Sequence, residues 1–379
     1  MRTLAVDALR MIGNRTGQGR HIEYLADEWS RMEIPFDRVV LIAPTPFELP
    51  ELGTTTEIVT DCFGEHLPRV VWEQLVLPMR ARNASILFCP TYIGPAFSRV
   101  PVVVANHGIY ERVPDEFSRV QRLRSTTLHH ISARRARRVI ANSRNTRDDV
   151  VEFFGVRPEK IDVVNPAANK VFFAAHDTDA IRGEITRRLG SLDPYFIFVG
   201  KLSRRRHVPE MIEALSIMRR DGHPRQRLLI VGPNAMDLDV EAVARRHGVE
   251  DVVTYLPHLD QESLARLYAG AEAFVLPTTY EGISQTMFEA MASGTAVLTV
   301  EHPTLDEGAG DTVVALPTPS VDELVRGMKL LMDDVDLRSD LAARGRRRAA
   351  DFSWTATAQA TVEILDRIAL AGDRPAVQA

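Results

Sequence analysis

Residues 274–300 read FVLPTTYEGISQTMFEAMASGTAVLTV. Phe274, Val275 and Leu276 form a short apolar run that reads as a buried strand, and Pro277 stops it. The polar stretch TTYEGIS follows as a loop, and the spacing then predicts a helix from about Gln285 to Ser293. Gly294 stands where a left-handed residue closes a helix, and Ala296 to Val300 reads as the next strand. Strand, loop, helix, strand is the unit of a parallel sheet, with the loop at the sheet's ligand-binding end. Glu281 precedes the helix and Glu289 lies inside it, between Phe288 and Ala290-Met291. A carboxylate in so apolar a setting is costly unless something binds it. The amides of Ile283, Ser284 and Gln285 open the helix, where an anion is favoured. The stretch suits a ligand with negative charge at one end and hydroxyls at the other.

Outward from this segment the same alternation repeats. On the N-terminal side, strands are expected at Leu4–Val6, Val39–Ile42, Ser85–Cys89, Pro101–Asn106, Val139–Ala141 and Ile161–Val164. A loop holding Gly17 and Gly19 follows the first, then a helix to about Met32. A proline-rich loop, APTPFELPELG, follows the second, and helices are expected over 69–81 and 117–138. Ser143 is placed to cap the next helix. A polar connection near 172–194 separates this half from strands at Tyr195–Val199, Leu228–Val231, Val252–Tyr255, Phe274–Leu276, Ala296–Val300 and Val313–Ala315. Helices over 208–220, 239–247, 261–269, 321–333, 337–350 and 356–371 complete the pattern. The expectation is an α/β protein with two doubly wound, Rossmann-like parallel-sheet domains facing a central cleft. Residues 1–175 form the first domain, 190–352 the second, and 353–379 a terminal helix.

Composition agrees with a folded chain and excludes several classes. The 379 residues exceed one ordinary core. They are 45% hydrophobic and 26% charged, with a net charge of −5, which argues against a general nucleic-acid binder. Cys62 and Cys89 make no disulfide framework or metal pattern, so a reduced compartment is expected. The opening MRTLAVDALR has no signal-peptide shape, and no run nears the ~20 apolar residues of a membrane helix. Two glycosylation sequons, at Asn14 and Asn83, are then idle. The expected location is cytoplasmic.

Each candidate residue has two readings. Gly17 and Gly19 can seat a phosphate or simply make a tight turn; the third glycine of the dinucleotide fingerprint is Ile22. Lys201 and the run Arg204-Arg205-Arg206 follow a strand directly, which suits a diphosphate, or they are a solvated surface. His107 ends a buried strand, as a cleft hydrogen-bonder or a structural histidine. Glu281 and Glu289 can act as an acid–base pair, bind hydroxyls, or serve as ordinary helix carboxylates. Asp177-Thr178-Asp179 and Asp237-Leu238-Asp239 match a metal-nucleotide pair, but Asp239 sits where a helix cap is expected. The arginines at 119, 122, 124, 134, 135, 137 and 138 make either a solvated helix face or a contact for an anionic membrane or acceptor.

These residues together resemble the retaining glycosyltransferases of family 4, with the GT-B fold. Glu281 and Glu289 match the E-x7-E motif, EAMASGTAVL resembles EAMA-x-G-x-PVV, and FVGKLSRRR resembles the family's G-[RK]-L-x-x-x-K/R element. YLPHLDQESLARLYAGAEAFVLPT, TGQGRHIEYLADEW, PVVVANHGIYERVPDEFS and RRVIANSRNTRDDVVEFFGVRPEKIDVVNPAAN are similar to further family segments, so the likeness spans about residues 4–365. The resemblance implies that Lys201 and Arg206 bind the diphosphate of a nucleotide sugar and Glu289 its ribose. It implies that Glu281 and His107 contact the transferred sugar. Gly282, Ile283, Ser284 and Gln285 would hold phosphate and sugar through their amides, and Gly17 and Gly19 would lie beneath the diphosphate. The base would lie near Leu256 and His258, and the last helix would cross back to the first domain. Ile283-Ser284-Gln285-Thr286 stands where the family has F-G-L-P, Gly108 where it has Asp, and Asn165-Pro166-Ala167-Ala168-Asn169 where it has PNG(V/I)D.

The implied activity is retaining transfer of a sugar from a nucleoside-diphosphate sugar to a hydroxyl on a glycan, a lipid-linked or a small-molecule acceptor. No metal or other cofactor is expected. TGQGRHIEYL and the WEQLVLP helix lean toward mannosyltransferase-like relatives and a GDP-linked donor. Residues 119–138 are the candidate contact with the inner face of the membrane. The rival readings are a nucleotide-sugar epimerase or hydrolase of the same fold and a catalytically silent nucleotide-sugar-binding protein.

Overall fold

A computed structural model describes residues 1–372 except 14, 16, 114 and 115. Asn14 and Thr16 of the first sequon and residues 373–379 of the terminal segment therefore lie outside the described residues. The chain forms two compact units. One comprises Met1–Arg112, Phe117–Pro166 and the segment from Ser353; the other is essentially Ala167–Phe352.

The first unit is built on a seven-stranded sheet of order β3-β2-β1-β4-β5-β6-β7, every pairing parallel. Its elements are β1 (Thr3–Asp7), α1 (Gly17–Arg31), β2 (Arg38–Ala43), β3 (Glu57–Cys62), α2 (Arg69–Val71), α3 (Leu77–Arg80), β4 (Ile86–Cys89), β5 (Val102–Asn106), α4 (Arg119–Arg135), β6 (Arg138–Ala141), α5 (Arg144–Phe154) and β7 (Ile161–Val163). Strands β1, β4 and β5 are buried along their whole length, as central parallel strands covered on both faces must be. Ser143 caps α5, its hydroxyl accepting from Thr146 N at 3.0 Å.

Three features depart from the sequence expectation. β3 is an additional strand: EIVTDC lies at the sheet edge with no buried residue, so it lacks the apolar run by which a strand is recognised. Gly17 and Gly19 are not in a loop; Gly17 is the first residue of α1. A Cβ on Gly19 would lie 2.3 Å from the Arg10 carbonyl oxygen, so the glycine lets the first helical turn press onto the chain after β1. The expected helix over 69–81 is a composite. α2 and α3 are joined by a π-helical stretch, Trp72–Val76, in which Leu77 N donates to Trp72 O five residues back. Pro78 has no N–H to return to Gln74, and the ladder widens just before it.

The second unit carries a six-stranded parallel sheet of order β10-β9-β8-β11-β12-β13. It runs α6 (Thr178–Leu189), β8 (Tyr195–Val199), α7 (Val208–Arg220), β9 (Arg227–Val231), α8 (Val240–His247), β10 (Val253–Leu256), α9 (Gln261–Gly270), β11 (Ala273–Leu276), α10 (Gln285–Ala292), β12 (Ala296–Val300), α11 (Leu305–Gly308), β13 (Val314–Leu316), α12 (Val321–Asp333) and α13 (Val335–Ala349). Asp239 caps α8 through Ala242 N at 2.9 Å, which is the capping reading of that DxD match. Gly294 at φ +75° closes α10, with Thr295 N donating to Ala290 O. The strand order turns outward in both directions from β8 and β11, so the carboxyl ends of those two strands mark the switch point.

The last helix, α14 (Trp354–Gly372), belongs to the first unit. Ala358, Val362 and Leu365 are buried on its inner face, Trp29 Nε1 of α1 donates to Ala358 O at 3.1 Å, and Arg2 pairs with Asp366 at 2.5 Å.

Candidate functional site

In the second unit the site is built on the loops that leave β8 and β11. β8 ends at Val199, and Gly200 adopts φ +153°. A Cβ there would lie 1.8 Å from Arg206 Nη1, so the glycine admits the guanidinium against the backbone. Arg204–Arg206 form one 3₁₀ turn, which leaves Arg204 outward while Arg205 and Arg206 reach inward. Arg204 is exposed, whereas Arg205 and Arg206 are buried.

Both buried guanidinium groups converge on one carboxylate oxygen. Arg205 Nη1 donates to Glu281 Oε1 at 2.7 Å, and Arg206 Nη2 donates to the same oxygen at 2.8 Å. Arg205 Nη1 also reaches Thr278 Oγ1 at 2.9 Å and Tyr280 O at 2.8 Å. The cluster thus ties the loop after β8 to the loop after β11. Burial alone would raise the Glu281 carboxyl, but Arg205 and then Arg206 outweigh it and hold it at about 2. His302, just past β12, is buried beside this cluster, with Nδ1 2.8 Å from Thr304 Oγ1. Burial lowers its pKa against the pull of Glu281.

α10 continues the wall. Ser284 caps it, accepting from Met287 N at 3.3 Å, and Gly282, Ile283 and Ser284 are buried while Gln285 is half-buried. Glu289 is 1% exposed, with Oε1 accepting from Gln285 Nε2 at 3.3 Å. Lys201 is exposed, and its carbonyl accepts from Arg206 Nη1 at 3.4 Å. Lys201, Arg206, Glu281, Gly282 to Gln285 and Glu289 therefore occupy neighbouring segments around one switch point. Leu256 and His258 follow β10, the edge strand two places from β8. Leu256 O accepts from Gly232 N at 2.9 Å, and His258 is exposed.

In the first unit, His107 follows β5. Its Nε2 donates to Pro90 O at 2.7 Å, which leaves Nδ1 as the acceptor of the neutral ring. Burial lowers its pKa, and the Pro90 carbonyl opposes the shift. His21, in α1 two residues beyond Gly19, lies edge-on to it at 4.9 Å between ring centroids. The glycine-bearing turn of α1 and the end of β5 are thus neighbours. At the ends of β1 and β4 a second polar group is buried: Asp7, Glu73 and Cys89. Burial above all, with Glu73 adding, raises Asp7 to about 7, against Leu9 N, which donates to Oδ1 at 3.0 Å, and the nearby Arg69 and Arg10.

Sequence reasoning passed over Arg205, Thr278, His302 and His21. Arg205 stood in a run whose three members look alike until a 3₁₀ turn separates them. Thr278 and His21 carried no signal of spacing or type, and His302 stood out only as part of Glu301-His302, where the family has a glycine pair. Among the described residues no group of three or more His, Cys, Asp or Glu is placed to hold a metal ion.

Two Rossmann-like parallel-sheet units in one chain are the architecture of the GT-B fold. Residues 177–348 match the family model for glycosyl transferases group 1, and residues 15–170 match that for glycosyltransferase family 4. The chain belongs to the family 4 glycosyltransferases of GT-B fold. It is 30% identical over 243 residues to the D-inositol 3-phosphate glycosyltransferase of Nocardia farcinica, covering 60% of this chain and 52% of that protein. It is 29% identical over 243 residues to the same-named protein of Salinispora arenicola, covering 60% and 54%. The chain spans about half the length of the curated relatives it matches. Among solved structures, sucrose-phosphate synthase from Thermosynechococcus elongatus superposes with a TM-score of 0.78 at 17% identity, covering 98% of this chain and 100% of that one. Anabaena HepE, solved with UDP-glucose, superposes at 0.75 and 18% identity, covering 97% and 100%.

Proposed function

We infer that the protein transfers a sugar from a nucleoside-diphosphate sugar to a hydroxyl acceptor, with retention of configuration and without a metal ion. The observation that carries this reading is the convergence of Arg205 and Arg206 on Glu281 Oε1 at the β8–β11 switch point. Glu281 fixes both guanidinium groups, so Arg206 meets a diphosphate already oriented, with the exposed Lys201 beside it. As the anomeric C–O bond breaks, negative charge grows on the leaving nucleoside diphosphate. Preorganised cations and the amides of Gly282 to Gln285 stabilise that charge without reorganising. Glu289 takes the ribose hydroxyls once Gln285 turns away from it, and Leu256 and His258 flank the base. His107, with Nδ1 as acceptor, takes a sugar hydroxyl. The acceptor oxygen attacks the anomeric carbon from the face the phosphate leaves, and the departing phosphate takes its proton.

The acceptor belongs to the glycan, lipid-linked or small-molecule hydroxyls. The relatives' name adds a phosphorylated cyclitol to the compounds worth testing. For the donor, the sequence likeness to mannosyltransferases favours a GDP-linked sugar, while a neighbour solved with UDP-glucose brings UDP into the same test.

The test is a thermal-shift panel of UDP, GDP and their sugars, with and without a chelator. At least one nucleoside diphosphate raises Tm by several degrees, chelator or not, and Glu289→Ala weakens its binding about tenfold or more. Stabilisation by none of the panel overturns the donor site, and stabilisation abolished by chelator overturns metal independence. Unchanged nucleotide affinity in Glu289→Ala overturns the ribose role.

A further inference from the structure

His107 belongs to a series of touching rings. His21 of α1 stands edge-on to it, with 4.9 Å between centroids and 75° between planes. His21 in turn is edge-on to Trp354, the first residue of α14, at 5.3 Å and 76°. Trp354 meets Tyr24 of α1 at 4.8 Å. On the other arm Tyr92, just past β4, stands 5.6 Å from His107 at 78°. Tyr92 stacks on His129 of α4 at 4.9 Å and 17°, and His129 Nδ1 lies 2.7 Å from Glu111 Oε1. The series Tyr24, Trp354, His21, His107, Tyr92, His129 lies wholly within the first unit.

Two of these rings are held in place at a cost. Tyr92 has φ +68°, a left-handed conformation that a residue with a side chain adopts only against strain. Its N–H donates to Ala105 O of β5 at 2.9 Å, which keeps the chain there. Trp354 is 5% exposed, and its buried indole N–H has no hydrogen-bond partner among the described residues. A buried tryptophan ordinarily satisfies that group. What Trp354 contributes here is therefore its ring surface. Burial lowers the pKa of both His21 and His107, so the two imidazoles pack as neutral rings, without charge repulsion.

One hydrogen bond does not orient an imidazole. His107 Nε2 donates to Pro90 O at 2.7 Å, which fixes one atom and still lets the ring plane tilt. The Nδ1 lone pair lies in that plane, so tilting re-aims it. Edge-on neighbours resist the tilt, because aromatic pairs have preferred angles and a packed ring has no room to swing.

We propose that His21 and Trp354 are positioning residues for His107: they set the plane of its ring, and so the direction in which Nδ1 accepts a hydroxyl of the transferred sugar. The role rests on the donor reading above, in which His107 meets that sugar. It also gives the head of α14 a part in the sugar site, besides covering α1.

The experiment is calorimetric titration of the full chain with UDP against UDP-glucose and with GDP against GDP-mannose. His21→Ala and Trp354→Ala each weaken the sugar nucleotide that the parent binds by about fivefold, the worth of one hydrogen bond, and leave its nucleoside diphosphate within about twofold. His21→Phe and Trp354→Phe, which keep a ring, recover most of the loss. His107→Ala loses as much, and adding His21→Ala to it loses no more, since the two act through one group. His21→Leu and Trp354→Leu, with bulk but no ring, stand in where an alanine variant does not fold, with the same expected loss. Imidazole ¹⁵N spectra give a readout that needs no nucleotide: the His107 Nδ1 signal shifts or broadens in the His21 and Trp354 variants that lack a ring. Unchanged sugar-nucleotide affinity in those variants overturns the role. Equal loss for diphosphate and sugar nucleotide shows a merely structural part and also overturns it. If no nucleotide binds the parent, the donor reading fails, and the sugar role of His21 and Trp354 falls with it. An unaltered His107 spectrum overturns the positioning itself, whatever the nucleotides do.

Discussion

Two buried carboxylates respond to pH with opposite sign. Glu281 is held at about 2 against an ordinary 4.5, so its contribution is present above pH ~4.5 and is lost as pH falls toward 2. Glu281→Gln removes the anion between two buried guanidinium groups. We expect a loss of about 3–5 kcal/mol at pH 7 in denaturant unfolding, because both cations stay buried. A loss under about 1 kcal/mol would show that the cluster relaxes into solvent. Asp7 is raised from 3.8 to about 7, so its neutral form is stable in the fold. Its contribution is full below pH ~4 and is lost as pH rises through 7, worth roughly 4 kcal/mol across that window. Asn keeps the acceptor for Leu9 N without a charge. Asp7→Asn therefore raises Tm at pH 8 and barely changes it at pH 4. Equal Tm shifts at both pH values would sink the assignment.

Among the elements, those with apolar periodicity were legible and those without it were not. The six strands of the second unit and the E-x7-E helix could be read directly, β8, β9, β11 and β12 most plainly, because buried parallel strands are continuous apolar runs. β3 was hidden by its exposed edge, and the π-helical stretch by the lack of any composition that marks one. α1 was read to start only after Gly19, whereas it starts at Gly17, since glycine suggests a turn. Its true reason is contact: Gly19 touches the Arg10 carbonyl. Gly19→Ala should cost about 1–3 kcal/mol in urea unfolding and shift α1 relative to β1. An unchanged midpoint would mean the turn after β1 yields freely.

For the whole molecule, alternation of strands and helices revealed the two sheets, and motif spacing the positions around the β8–β11 switch point. Side-chain partnership was not legible. Nothing in SRRRH says which arginine points inward, nothing sets Thr278 apart from ordinary loop residues, and the departure at Glu301-His302 does not say what His302 packs against. Such pairings join segments some 75 residues apart, as Arg205 with Glu281, and depend on where two loops meet. The return of α14 has a consequence for how the protein comes to be made. Apart from Val113–Glu116 the second unit is one continuous segment, whereas the first recovers its last helix only after residue 353. On the ribosome, Trp29 and Arg2 emerge 329 and 364 residues ahead of their partners Ala358 and Asp366. The unit whose first strand emerges earlier is thus the one whose last element emerges later.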